Sequence, residues 1–370
     1  MTSLLGLLCF ASTPRYYVNA LNKGRQWLWM TLKDIAKIAG VSISTVSRVI
    51  NSPDNSFATE QVRDRIWNIV KETGYIPNQS AKDLKTKSND QYTAHSKTIA
   101  CIFGRTKTPA DNPFFAQIAR AIEQQALNFG FVLSSSYSIF DINDPSVFQR
   151  ITSLKADGAI ILGRFEGNTR SFFENNYKNL VYTGLNSIDA EWDQVICDGY
   201  AASITALEHL IHNGHRRIAY VGETENEIRY MAYKDMLRCK NIPFEASLVG
   251  SCPLNGAGGY AGAERLLKKA APAPTAVFCA NDITAIGAVR RILESGLRIP
   301  QDISVVSIDN IDVAQYVSPM LTTVGIPKDE LGKMATRMLV DRINKGHHLP
   351  MKLLLPHKLI IRESTGKVPR

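Results

Sequence analysis

The sequence predicts a small all-α head joined to a larger α/β core, whose two similar subdomains face each other across a cleft. Three observations carry this prediction. Apolar residues recur at helical spacing in two short runs between Leu32 and Ile50, with a glycine between them. From Thr98 onward, short β-rich runs alternate with amphipathic helical stretches. Those β-rich runs number seven, more than one small sheet with short edges needs, so two sheets fit better.

The chain has 370 residues, 45% hydrophobic and 21% charged, as expected of a soluble globular protein of two or three domains. It holds no run of eighteen apolar residues, so no membrane-spanning helix is expected. The cysteines are scattered and none makes a CxxC pair, which implies free thiols in a reducing, cytoplasmic compartment. The net charge of +9 is uneven: residues 1–97 hold thirteen basic and seven acidic side chains. The first quarter of the chain is therefore the part expected to face a polyanion.

The head comes first. Leu32, Ile35, Ala36 and Ala39 lie on one helical face, Asp34 favours that helix's N-terminus, and Gly40 ends it. Ser42 is placed to cap a second helix, Ile43 to Ile50, whose inward stripe is Val46, Val49 and Ile50. Two short helices joined through a glycine turn make a helix-turn-helix unit. A third helix is expected after Thr59, burying Val62, Ile66, Ile69 and Val70, with Gly74 and Pro77 ending it. The outward face of the second helix carries Ile43, Ser44, Thr45, Ser47 and Arg48. Short hydroxylated side chains and one guanidinium suit a major groove, although an ordinary solvated helix face would look similar.

The run "TLKDIAKIAGVSISTVSRVIN", followed by "TGYIPNQSAKDL", closely resembles the DNA-binding head of the LacI/GalR family of transcriptional regulators. The resemblance implies that Ile43, Ser44 and Arg48 read base edges and that Thr45 and Ser47 contact phosphates, with Lys33 a further phosphate candidate. It also implies a hinge helix bearing Asn78, Ala81 and Leu84, in which the leucine wedges into the minor groove. The family's head starts near its chain terminus, which corresponds to Met30 here. Residues 1–29 resemble nothing in the family and make a poor signal peptide, so they are expected to be a non-native or disordered extension. The expected head is 30–77, with hinge and linker over 78–97.

In the core, the β-rich runs are "TIACIF", "FVLSSSY", "GAIILG", "LVYTGL", "RIAYVG", "TAVFCA" and "ISVVSI". Parallel α/β sheets bind ligands at the carboxyl ends of their strands. Candidate site residues are thus Asn112 to Phe115, Gly163, Arg164, Asn186, Asn281, Asp282, Asp309 and Asn310. Such amides, carboxyls, guanidinium and aromatic rings suit a polyhydroxylated ligand. Capping alone would account for Asn112 or Asn281 taken singly. Their joint placement at strand ends favours a site.

"DNPFFAQIARAIE", "LIHNGHRRIAYVGE" and "FCANDITAIGAVRRILESGLRIPQDISVVSIDN" extend the LacI/GalR resemblance to about Thr365. By that resemblance the core is similar to periplasmic sugar-binding proteins. Phe114 or Phe115 would supply the aromatic contact, Arg229 would grip ligand oxygens, Asn281 and Asp309 would take hydroxyls, and Asp282 would support them. Asn186 stands where many relatives carry Arg, and Ala232 where they carry Gly. The core is expected over 98–365, with subdomain one at about 98–190 and 322–350, and subdomain two at about 191–321 and 351–365.

Three signals are set aside. His209, His212 and His215 are spaced in threes but lack a completing carboxylate or thiol, so no metal is expected. "NGAGGYAG" has no strand leading into it and more simply opens a helix. No nucleophile with a paired base is evident, so the chain is not expected to be an enzyme, and no cofactor is expected. The expected function is a homodimeric, nucleoid-associated repressor that binds a near-palindromic operator and is released or tuned by a small sugar. The alternatives are a regulator that answers to a purine or a phosphoprotein corepressor, and a sugar-binding protein with no DNA role.

Overall fold

The structure, a computed structural model, describes residues 30–51, 58–75, 97–105, 112–153 and 156–368. The 1–29 extension and the hinge residues Asn78, Ala81 and Leu84 lie outside the described residues.

The head is three helices: α1 Leu32–Ala39, α2 Ile43–Asn51 and α3 Glu60–Thr73. Each starts and stops for local reasons. Thr31 and Asp34 form a reciprocal capping box at α1, and Gly40 ends that helix in the left-handed conformation at φ 67°. The Ser42 hydroxyl accepts from the Thr45 N–H at 3.0 Å and caps α2. Thr59 takes the cap position of α3 without a side-chain bond. Ile35, Val46, Ile50 and Ile66 are fully buried between the helices, each worth about 1.5–3 kcal/mol of apolar burial.

The core contains two six-stranded sheets. The first has the order β11-β5-β4-β3-β1-β2, with β1 Thr98–Phe103, β2 Val132–Ser138, β3 Gly158–Leu162, β4 Leu180–Gly184, β5 Asp193–Cys197 and β11 Lys352–Leu355. The second has the order β12-β10-β9-β8-β6-β7, with β6 Ile218–Gly222, β7 Val249–Ser251, β8 Ala276–Cys279, β9 Ser304–Asp309, β10 Thr322–Gly325 and β12 Lys358–Ile360. All the pairings are parallel except β10 with β12. Seven of the strands are the seven β-rich runs of the sequence. The other five (β5, β7, β10, β11 and β12) are short, and three of them lie at sheet edges.

These strands correct the expected subdomain boundaries. β5 and β11 belong to the first sheet and β10 to the second, so the chain crosses between subdomains near 198, 326–327 and 356–357. The helix after β10, Lys328–Ile343, packs on the helix Pro113–Asn128 and on β4 and β5, and so returns to subdomain one. Which sheet a four-residue strand joins is set by distant partners, which its own residues do not reveal.

The glycine run "NGAGGYAG" opens the helix Gly256–Lys269, with the Asn255 side chain accepting from Gly258 N–H at 2.7 Å. A Cβ at Gly259 would stand 2.0 Å from the Thr284 carbonyl oxygen, and one at Gly287 2.0 Å from that of Gly256. These glycines let two helices touch backbone to backbone; they cradle no phosphate.

The head docks on subdomain one. The Trp67 ring of α3 meets Phe148 edge-on at 5.3 Å between centroids. Asn175 donates to the Thr73 carbonyl at 3.0 Å, and Gln149 donates to the Asn51 carbonyl at 3.2 Å. Trp67 is only 3% exposed, so Trp67→Ala is expected to cost about 3 kcal/mol of packing. Scanning calorimetry should then show the head unfolding below the core; a single unshifted transition would refute the docking.

Candidate functional site

Two sites emerge, one on the head and one between the subdomains. On α2, Ile43, Ser44 and Arg48 are exposed, Ile43 at 48%, while Thr45 and Ser47 are half-buried. Ile43 thus turns a large apolar side chain to solvent. The hydroxyls already form a local chain. Ser42 Oγ lies 2.7 Å from Ser44 Oγ and 2.8 Å from Thr45 Oγ1. Asn51 donates to the Ser47 carbonyl at 2.8 Å, anchoring the end of α2. This face therefore presents a guanidinium, a methyl-bearing side chain and preset hydroxyls on one rigid surface.

Between the subdomains lies a cavity of about 320 Å³. The residues proposed at strand ends meet there: Phe114, Phe115, Arg229, Asn281 and Asp309 all line it, as do Asn112, Arg164 and Asn186. Phe114 and Phe115 sit edge to face at 5.1 Å at the start of α4, Pro113–Asn128, which Asn112 caps. They serve the core as well as the cavity, at 4% and 8% exposure.

Arg229 is the second residue of the helix Ile228–Cys239. Its Nε donates to Glu227 Oε1 at 2.7 Å, Nη2 to Oε2 at 3.0 Å, and Nη1 to the Ala280 carbonyl at 2.8 Å. A guanidinium has five N–H groups, so the bonds to protein leave donors for a ligand. Burial alone would raise the Glu227 carboxyl; the Arg229 charge and hydrogen bonds outweigh it and hold the group at about 2. Arg229 is thus a fixed ionic wall of the cavity, braced by Glu227.

Asn281 caps the helix Asp282–Glu294 by accepting from Thr284 N–H at 2.9 Å. It caps and it lines the cavity, so both readings of it hold. Asp309, at the end of β9, has φ 125°, and Asn310 follows at φ 50°. An aspartate at φ 125° is strained, and such strain clusters at sites, whereas φ 50° is left-handed backbone that asparagine tolerates. The Lys328 ammonium, itself buried, holds this corner by donating to the carbonyls of Asp309 at 2.6 Å and Asn310 at 2.8 Å. Burial, then the charge of Asp282, raises the Asp309 carboxyl above its ordinary range. Among the described residues no protein donor reaches that carboxyl, although it is only 4% exposed.

Asp282 corrects an expectation. It does not line the cavity. It is fully buried and accepts from Ser307 Oγ at 2.5 Å, Thr323 Oγ1 at 2.6 Å and Ile311 N–H at 2.8 Å. It ties three segments behind the site, and its neighbour Asn281 does the facing. Sequence reading passed over Arg105, Glu223 and Lys328. Gly104 and Arg105 follow β1 just as Gly163 and Arg164 follow β3, so the strand-end rule could have found the arginine. Two of the three histidines serve the fold: His215 bonds Thr275 Oγ1 at 3.0 Å and the Gly366 carbonyl at 3.1 Å, and His209 bonds Thr365 Oγ1 at 2.9 Å, while His212 is exposed.

Comparison with known proteins decides the family. The profile of bacterial regulatory proteins of the lacI family matches residues 31–78, and that of a periplasmic binding protein-like domain matches 207–365. The HTH-type transcriptional repressor PurR of Yersinia pestis (strain Pestoides F) is 31% identical over 349 residues, covering 92% of this chain and 98% of that protein. The chain belongs to the LacI family. It is a DNA-binding transcriptional repressor with a ligand-binding core, and not an enzyme. Among solved structures, the transcriptional regulator CelR in complex with cellobiose aligns at TM-score 0.69 and 27% identity, over 91% of this chain and all of that one. A LacI family regulator from Enterococcus faecium with bound ribose aligns at TM-score 0.63 and 28% identity, over 74% of this chain and all of that one. Among the described residues no helix is long and apolar enough to cross a membrane.

Proposed function

We propose that this LacI-family repressor answers to a small carbohydrate held between its subdomains, and that the sugar releases it from a near-palindromic operator. One observation carries the reading: the buried Asp309 carboxyl, unserved by protein donors, converges with Asn281 and Arg229 beside the Phe115 ring. A carboxyl, an amide and a guanidinium together satisfy neighbouring hydroxyls, and an aromatic ring covers a sugar's C–H face. The sugars named in the two aligned structures support the same class.

In this reading, Ile43, Ser44 and Arg48 read base edges while Thr45 and Ser47 hold phosphates. Two chains pair so that each head meets one half-site. Val313, Tyr316 and Met320 give subdomain two an exposed apolar segment, Tyr316 at 74%, which suits the homodimer contact. The ligand changes how the subdomains sit on one another, and the docked head on subdomain one follows. Linkage requires the converse: operator DNA must weaken sugar binding by the same factor.

The reading is tested by calorimetry with a panel of sugars and purines, alongside gel-shift titration of a palindromic duplex. Asn281→Ala is expected to leave operator affinity intact and to lower sugar affinity about tenfold or more, because a buried acceptor or donor loses its partner. Undiminished release of that variant by sugar would move the site elsewhere. A purine that binds while every sugar fails would replace the carbohydrate reading.

A further inference from the structure

Beyond the inner cavity lies a second, more open chamber of about 850 Å³, and the two share a wall. Arg105, Arg164, Glu223 and Pro253 line both. Three of the four, Arg105, Arg164 and Glu223, are charged side chains joined to one another. Arg105, from subdomain one, ion-pairs with Glu223 of subdomain two and lies 3.4 Å from Glu227. Arg164 lies 3.3 Å from the same Glu223 carboxylate and also donates to the Asn226 carbonyl. The partition is therefore a screen built largely of ion-paired side chains, with Pro253 beside them.

The residues beyond the screen match what a sugar ring needs. Phe140, on the turn Ile139–Asn143, offers a 45% exposed ring with no evident role in the core. Phe165 lies alongside, stacked on Trp192 at 5.6 Å and so fixed in place. Thr224 and Ser251 present hydroxyls 3.1 Å apart, and Glu225 and Asn226 are exposed. An exposed aromatic ring flanked by hydroxyl, amide and carboxylate groups is a stacking platform with hydrogen-bonding edges.

Resting on the carbohydrate reading, we infer that the effector is an oligosaccharide of at least two rings. Its first ring occupies the inner cavity, its second lies against Phe140 in the outer chamber, and the linkage passes between Arg105, Arg164 and Glu223. The screen yields readily. Its side chains are 22%, 30% and 32% exposed, and ion pairs with that much solvent contribute little to stability. Guanidinium N–H groups that turn from Glu223 toward linkage and ring oxygens keep their hydrogen bonds. Because the screen joins the two subdomains, a ligand threaded through it replaces the contacts that set their relative position. A single ring confined to the inner cavity leaves those contacts in place.

The test is titration calorimetry of the full chain with glucose and galactose, and with the disaccharides cellobiose, lactose and maltose. At least one disaccharide is expected to bind ten times or more tighter than either monosaccharide. Phe140→Ala should erase roughly five- to tenfold of that advantage, the scale of a lost stacking contact, without changing monosaccharide affinity. Phe140→Tyr should restore it. Monosaccharides that bind as tightly as every disaccharide would overturn the inference and leave the carbohydrate reading standing. So would a disaccharide preference that Phe140→Ala does not touch. Failure of all five sugars to bind would remove both.

Discussion

Arg229→Ala is expected to destabilise the core by about 3–5 kcal/mol, the range for stranding one member of a buried ion pair. The reason is geometric. Glu227 is 2% exposed and holds the Arg229 guanidinium through two bonds, so removing the arginine leaves a buried carboxylate with only the more distant Arg105 nearby. Urea unfolding should show the loss, and sugar binding should vanish with it. Arg229→Ala with Glu227→Gln should recover part of the stability but none of the binding, which separates the wall's two roles. A single variant as stable as the parent would mean that the pair is solvated and is no wall at all.

The same pair sets an acid limit. The folded Glu227 carboxyl is held at about 2, below its ordinary 4.5, so the folded state binds that proton less readily than the unfolded chain. Its contribution is therefore fully present above about pH 4.5 and is lost as pH falls toward 2. Glu227→Gln should flatten the stability profile in that window, as read by thermal unfolding from pH 2 to 6. An unchanged acid limb would assign the acid sensitivity to other carboxyls.

The second large effect is on DNA. Arg48→Ala is expected to weaken binding to the specific operator by about 1–3 kcal/mol, roughly five- to 150-fold, and to relax preference at the base pair it reads. Affinity for random duplex should change by no more than the loss of one positive charge. Gel shifts on both duplexes at two salt concentrations separate the outcomes, because phosphate contacts alter the salt slope and base contacts do not. Equal losses on both duplexes would remove Arg48 from the base readers and leave it a phosphate contact.

These residues differ in how far the sequence foretold them. Ile43, Ser44 and Arg48 were legible because helix periodicity alone turns them away from Val46, Val49 and Ile50, and the structure places them so. Asn281 and Asp309 were legible because a strand end is a local event, and ligands gather there in parallel sheets. Asp282 was expected as a supporting contact beside Asn281, and it lies wholly behind the cavity. Adjacent residues at a helix start point in different directions, and only the approach of Ser307 and Thr323 shows which one turns inward. Lys328 gave no sign, because its partners are the carbonyls of Asp309 and Asn310, nearly twenty residues away.

The sequence by itself determined the elements: the head's three helices with Ser42 and Thr59 at the starts of two of them, seven of the twelve strands, and the class of chemistry at the strand ends. It could do so because periodicity, capping and turn formation act over a few residues. Tertiary structure alone decided which sheet each short strand joins, where the chain crosses between subdomains, and that the head rests on Phe148 through Trp67. It also decided that Arg105 and Arg164 meet Glu223 across the cleft. Those outcomes depend on pairings between residues well separated along the chain, such as Trp67 with Phe148, Arg105 with Glu223 and Gln194 with Lys352, whose energies come into being only once the core has closed around them.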